Sequence, residues 1–254
     1  LAAIEGFACR SLDGQNAEAQ VHVPVAALPN GIPLLAAPVW EPIGSGAVSA
    51  CIEDVASTVV ASEDAAWARQ YLQDLCPDAR FIEIGAHDDI DALAERLTHV
   101  GGFGTLVWLP PRDEAGLLDD AILDAQSSGV LLGWRLCKAV LQAGYGDQAL
   151  TWVVITRDAQ VVHDADFVRP AHAGVHGLFG SVAKEYPAWR CRLLDVPGGL
   201  DRLPAARPSV PARGGMPLAY RQGRWFARRA IDLLPASGVE GGCAFRQRGV
   251  YVIV

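Results

Sequence analysis

Leu150-Thr151-Trp152-Val153-Val154-Ile155-Thr156 and Arg190-Cys191-Arg192-Leu193-Leu194-Asp195-Val196 decide the fold of this chain. In both, β-branched and large apolar residues follow one another with little alternation, the pattern of a strand covered on both faces. Residues 171–186 between them space their apolar side chains as a helix does. A helix joining two doubly covered strands is a βαβ unit. The same pattern extends outward. Strand-like runs stand at 57–61, 80–84 and 105–109, and helical patterns at 63–75, 89–99 and 117–143. The alternation predicts a doubly wound, mostly parallel sheet with right-handed crossovers.

Local chemistry marks the boundaries. Ser62, followed by Glu63-Asp64, is a candidate N-cap with acids where the helix dipole favours them. Gly101-Gly102 should stop the second helix, and Gly144 and Gly146 the third. Gly129 and Gly133 put two small residues on one face of the third helix, read as close packing. Residues 197–215, with Pro197, Pro204, Pro208 and Pro211, predict a loop. An antiparallel hairpin is expected from 217–222 and 225–229 around Gly223. At the other end, Pro24, Pro29, Pro33 and Pro38 exclude a long helix from residues 1–38. That segment reads as a linker, with Val21, Val23 and Val25 as a short edge strand. The sole methionine is Met216, and the chain closes on Val250-Tyr251-Val252-Ile253-Val254. These five β-prone residues read as a cut strand, so a piece of a larger protein is expected.

The chain has 254 residues, 51% of them hydrophobic, enough to build a full core without staples. Its 21 basic and 29 acidic residues leave a net charge of −8. A polyanion-binding domain carries a basic excess, so neither nucleic acid nor an anionic membrane is expected as a partner. No apolar run reaches the roughly 18–20 residues that span a bilayer. Cys9, Cys51, Cys76, Cys137, Cys191 and Cys243 include no C-x-x-C pair, which argues for buried reduced thiols rather than zinc or disulfides. A cytoplasmic location is the expectation.

A doubly wound sheet invites a search for nucleotide chemistry. The dinucleotide fingerprint needs a glycine turn after the first strand, so that phosphate meets the helix N-terminus. Here the chain reads Ser62-Glu63-Asp64-Ala65-Ala66, and two carboxylates stand where phosphate would. Gly101-Gly102-Phe103-Gly104 precedes a strand instead of following one. A Tyr-x-x-x-Lys pair is also missing: Leu75, Ala149, Arg190 and Arg224 occupy the fourth position after Tyr71, Tyr145, Tyr186 and Tyr220. There is no G-x-S-x-G elbow and no H-E-x-x-H. His172 and His176 have the i, i+4 spacing of two metal ligands, but no third ligand stands near in sequence, and packing is the preferred reading. His163-Asp164 near Asp166 reads as a solvated turn before a general-base pair. Glu185 reads as a structural residue at a helix end.

The run His172-Ala173-Gly174-Val175-His176-Gly177-Leu178-Phe179-Gly180-Ser181-Val182-Ala183-Lys184-Glu185-Tyr186-Pro187, followed by Trp189-Arg190-Cys191-Arg192-Leu193-Leu194-Asp195-Val196, resembles the ketoreductase region of modular polyketide synthases. Further similar pieces are Pro38-Val39-Trp40, Trp152-Val153-Val154-Ile155-Thr156, and Ala219-Tyr220-Arg221 with Gly223-Arg224-Trp225. The His-Ala-Gly-Val-His form is most similar to modules whose acyltransferase acts in trans. Ketoreductases of that family have two halves, a truncated structural subdomain and a catalytic one that binds NADPH. The resemblance covers the structural half, over residues 38–254.

The resemblance implies an α/β fold, a truncated Rossmann-like doubly wound sheet with a short antiparallel C-terminal hairpin. It assigns residues 1–37 to an upstream linker or the end of a preceding domain. It implies a non-catalytic brace for an NADPH-dependent β-ketoacyl-carrier-protein reductase, with no catalytic, cofactor or metal residue in this chain. The implied partners are the catalytic subdomain and neighbouring polyketide synthase domains. Val250, Tyr251, Val252, Ile253 and Val254 are the candidate subdomain interface. The competing expectations are a complete small α/β enzyme with an atypical nucleotide or acyl site, and a freestanding scaffold module.

Overall fold

The computed structural model describes residues 8–9, 19–20, 36–43, 57–111, 121–204 and 215–232. The candidate interface at Val250–Val254, the expected edge strand at Val21–Val25 and residues 205–214 of the expected loop 197–215 lie outside them. Contacts group the chain into two units, residues 40–228 and a smaller one of residues 1–39 with 229–254. In the smaller unit a two-residue ribbon pairs β1 (Ala8–Cys9) with β2 (Ala19–Gln20) antiparallel.

The elements that follow are β3 (Ala36–Pro42), β4 (Thr58–Ser62), α1 (Ala65–Tyr71), β5 (Arg80–Glu83), α2 (Ile90–His99), β6 (Thr105–Leu109), α3 (Ala121–Ser128), α4 (Val130–Val140), β7 (Leu150–Arg157), α5 (Ala173–Glu185), β8 (Trp189–Val196), β9 (Pro217–Arg221) and β10 (Arg224–Asp232). The large sheet has the order β3-β10-β9-β8-β7-β6-β4-β5. From β5 to β9 every neighbouring pair is parallel, and β9 pairs antiparallel with β10. The chain moves from β4 out to β5 and then crosses back to β6 on the other side of β4. The sheet's topological switch point therefore lies between β4 and β6, where open α/β folds hold their ligands.

Alternation along the strands sorts the core into two layers. Leu106, Trp108, Trp152, Val154, Cys191 and Leu193 face α2, α4 and α5, whose Leu93, Leu97, Leu132, Leu136 and Phe179 cover them. Val60, Val107, Val153, Ile155 and Leu194 face α1, with Ala68, Tyr71 and Leu72. All residues of β4 and β6 are buried, which is why neither run alternates in polarity.

The structure corrects several boundaries. The predicted helix 63–75 is confined to Ala65–Tyr71, and its N-cap is Asp64, not Ser62: the Asp64 carboxylate accepts the Trp67 amide at 2.8 Å. Ser62 ends β4 instead. The predicted helix 117–143 is broken at Gly129 (φ −92°, ψ −111°) into α3 and α4. A Cβ there would lie 3.1 Å from the Ala171 carbonyl and 3.2 Å from the Ala125 carbonyl, a tight approach that favours glycine. Gly133 gives the close packing expected of it, because a Cβ would come within 2.7 Å of the Trp108 ring. The hairpin turn places Gln222 at φ 49° and Gly223 at φ 80°. Two positive φ values are the two-residue turn whose twist matches the strands it joins. β3 overlaps the end of the expected linker, residues 1–38, and carries Pro38. Proline is tolerated on an edge strand, where its missing donor costs no ladder bond, and β3 is the last strand of the sheet order.

Candidate functional site

Two places in such a sheet can carry chemistry: the switch-point crevice, and the C-terminal ends of the central strands. The first is lined, and the second filled, by the chain's own polar side chains.

The crevice is walled by Ser62, Glu63, Asp64 and Trp67 on one side and by Pro110, Pro111 and Arg157 on the other. It encloses about 220 Å³. A dinucleotide pyrophosphate would need bare amides at the start of α1. The Asp64 carboxylate already occupies one, and Glu63 adds a second negative charge to the lining. Arg157 is buried, with its guanidinium carbon 4.5 Å from the centre of the Trp67 ring and a 2.8 Å hydrogen bond to the Pro110 carbonyl. The residues present do not fit a dinucleotide.

At the strand ends, Asp195 of β8 is fully buried and forms a hub. It accepts the Thr156 hydroxyl at 2.6 Å, the Ala159 and Gln160 amides at 2.9 and 3.1 Å, and the Arg221 guanidinium at 2.5 Å. Arg221 also donates to the Gln160 carbonyl at 2.7 Å and lies 3.3 Å from the Asp166 carboxylate. His176 of α5 completes the chain, with Nε2 at 2.6 Å from Thr156 Oγ1. The single hydroxyl proton of Thr156 goes to the carboxylate, so His176 donates from Nε2. Burial holds the His176 imidazole below its usual pKa, a trend Asp195 opposes and Arg228 reinforces. Thr156, Asp195 and Arg221 satisfy one another, while the buried His176 Nδ1 has no hydrogen-bond partner among the described residues. They pin the loop after β7 and the β9–β10 hairpin to the sheet.

The residues singled out in the sequence fall as follows. His176 is in the hub, and His172 is buried one turn earlier at the start of α5. No group of three metal-binding side chains occurs among the described residues. His163 Nδ1 stands 3.6 Å from Asp166 Oδ1, while Asp166 Oδ2 accepts the Val162 and His163 amides at 2.9 and 3.0 Å. Burial raises the Asp166 pKa, but these two amides and Arg221 outweigh it and leave the carboxyl below its usual range. This is a turn, though a partly buried one. Glu185 is exposed at the end of α5. Cys137 and Cys191 are buried thiols whose pKa values burial pushes up, that of Cys191 to about 12. The hub itself was not anticipated. Its one signal in the sequence is a lone aspartate inside the apolar run Leu193-Leu194-Asp195-Val196.

An open groove of about 1040 Å³ runs along β5. Its charges are mixed and partly consumed: Arg96 bonds both Asp88 and the Glu83 carbonyl. No helix among the described residues is long and apolar enough to cross a membrane.

Comparison with known proteins agrees with this geometry. The family model described as "Polyketide synthase extender module SpnB, Rossmann fold domain" matches residues 38–230. The chain belongs to this family. It is 33% identical over 256 residues to polyketide synthase PksM of Bacillus subtilis (strain 168), covering 99% of this chain and 6% of that protein. It is 37% identical over 173 residues to polyketide synthase ThaG of Burkholderia thailandensis, covering 66% of this chain and 3% of that protein. Among solved structures it is similar to a C2-type ketoreductase from a modular polyketide synthase (TM-score 0.58, 23% identity, 78% of this chain and 44% of that one). It is also similar to A-type ketoreductases of modular polyketide synthases (TM-score 0.57, 22% identity, 79% of this chain and 43% of that one). The likeness to those structures is one of fold. The chain is a Rossmann-fold domain of a polyketide synthase module and spans a few per cent of its curated relatives' length.

Proposed function

We propose that this domain is the non-catalytic half of a ketoreductase and braces an NADPH-binding half that reduces a β-ketoacyl group on a carrier protein. The observation that carries this reading is the lining of the crevice: Asp64 caps the helix that would meet phosphate, and the Arg157 guanidinium lies against the Trp67 ring. The filled hub at the strand ends supports it, since a Rossmann sheet performing reduction needs an accessible proton donor there. What remains for such a sheet is mechanical. Its two-sided core and the pinned hairpin form a rigid body against which a second body can dock.

Val250, Tyr251, Val252, Ile253 and Val254 are the proposed contact. In an extended strand Val250, Val252 and Val254 would fall on one face and Tyr251 and Ile253 on the other. Both faces are apolar, as suits a strand held between two bodies. The test is reconstitution. This chain and a separately expressed catalytic half should co-migrate on size exclusion. The ketoreductase rate of that half should rise at least tenfold on adding the chain. Independent migration with an unchanged rate would refute bracing.

A further inference from the structure

The crevice between β4 and β6 does more than lack a phosphate cradle; its charge is inverted. Glu63 and Asp64 line it with negative charge, Trp67 presents a ring, and the Pro110 carbonyl presents an acceptor. A carboxylate pair repels phosphate, whereas an aromatic face, a carbonyl and acidic surroundings are what a flat, weakly hydrated cation selects. Such a cation is already there. Strand alternation turns Thr156 toward α5 and the next residue, Arg157, toward α1. The guanidinium of Arg157 therefore lies over Trp67, and the residue is only 6% exposed. The same indole stacks on Tyr71 at 4.8 Å, which fixes the ring that the cation meets.

We propose that the switch-point crevice is a binding site for a planar guanidinium-type cation, occupied in cis by Arg157. The inference deepens the non-catalytic reading and rests on it: the nucleotide crevice is rebuilt for the opposite charge, and its occupant belongs to the fold.

The experiment empties the site and refills it. Arg157→Ala should lower the melting temperature, and 20 mM ethylguanidinium should restore at least half of the loss, measured against its effect on the unaltered chain. Ethylammonium at equal ionic strength should restore none, because it lacks the planar face. In Arg157→Ala/Trp67→Leu the ethylguanidinium effect should vanish. Equal rescue by both cations, no rescue, or a rise with inorganic pyrophosphate would overturn the proposal. Should Arg157→Ala fail to fold, the side-chain Nε–H of Arg157 in the unaltered chain decides by NMR. A ring-current-shifted, exchange-protected signal supports the site, and a signal like that of a solvated arginine overturns it. Failure here differs from failure of the non-catalytic reading, which would show as NADPH binding to the unaltered chain.

Discussion

Replacing Asp195 should destabilise the domain more than any other single polar change in the described sheet. Asp195→Ala leaves the Arg221 guanidinium, 6% exposed, without its closest partner. It also removes the acceptor of the Thr156 hydroxyl and of the Ala159 and Gln160 amides. Breaking a buried ion pair from one side costs roughly 3–5 kcal/mol. Asp166, at 3.3 Å from Arg221, offsets part of that loss. The expected cost is about 3–4 kcal/mol, a large share of the roughly 5–15 kcal/mol that stabilises a typical domain. At about 2–4 °C per kcal/mol for a chain of this size, the melting temperature should fall by roughly 6–16 °C. Urea unfolding followed by far-ultraviolet circular dichroism gives the free energy. The double variant Asp195→Ala/Arg221→Met removes both charges, so its loss should be at least about 1 kcal/mol smaller than the sum of the single losses. Additive losses, or a single-variant loss below about 1 kcal/mol, would show that the hub is not a coupled unit.

Three further outcomes are expected. Gly133→Ala drives a Cβ to 2.7 Å from the Trp108 ring and should cost about 1–3 kcal/mol by urea unfolding. His176 is held neutral by burial, so between its folded pKa and the unfolded value the unfolded chain binds the extra proton. Stability should therefore fall as pH drops from 7 toward 5, and His176→Gln should flatten that slope in urea midpoints taken across the range. Val252→Asp/Ile253→Asp should abolish co-migration with the catalytic half while leaving the urea midpoint of the isolated chain nearly unchanged; an equal loss in the isolated chain would place that strand in its own core.

The central strands were legible because burial on both faces removes polar punctuation: Thr105–Leu109 and Leu150–Arg157 stand within a residue of their expected bounds. The start of the first helix was misplaced because several polar residues compete for one cap. Sequence spacing does not show that Asp64, and not Ser62, reaches the Trp67 amide. The long third helix looked continuous because glycine within a helical pattern is ambiguous. The break at Gly129 follows from a tertiary approach to the Ala171 carbonyl. The crevice was legible in part. Two acids after the first strand already argued against phosphate, but Arg157 lies 90 residues after Trp67 and only the fold brings them together. The hub joins Thr156, His176, Asp195 and Arg221 from four elements, so no local motif could announce it.

The most direct test of the whole account is the NADPH stoichiometry of the reconstituted pair, measured by titration calorimetry beside the isolated chain. The account predicts no saturable binding by this chain alone and one NADPH per pair. Saturable micromolar binding by the chain, or two NADPH per pair, would contradict it.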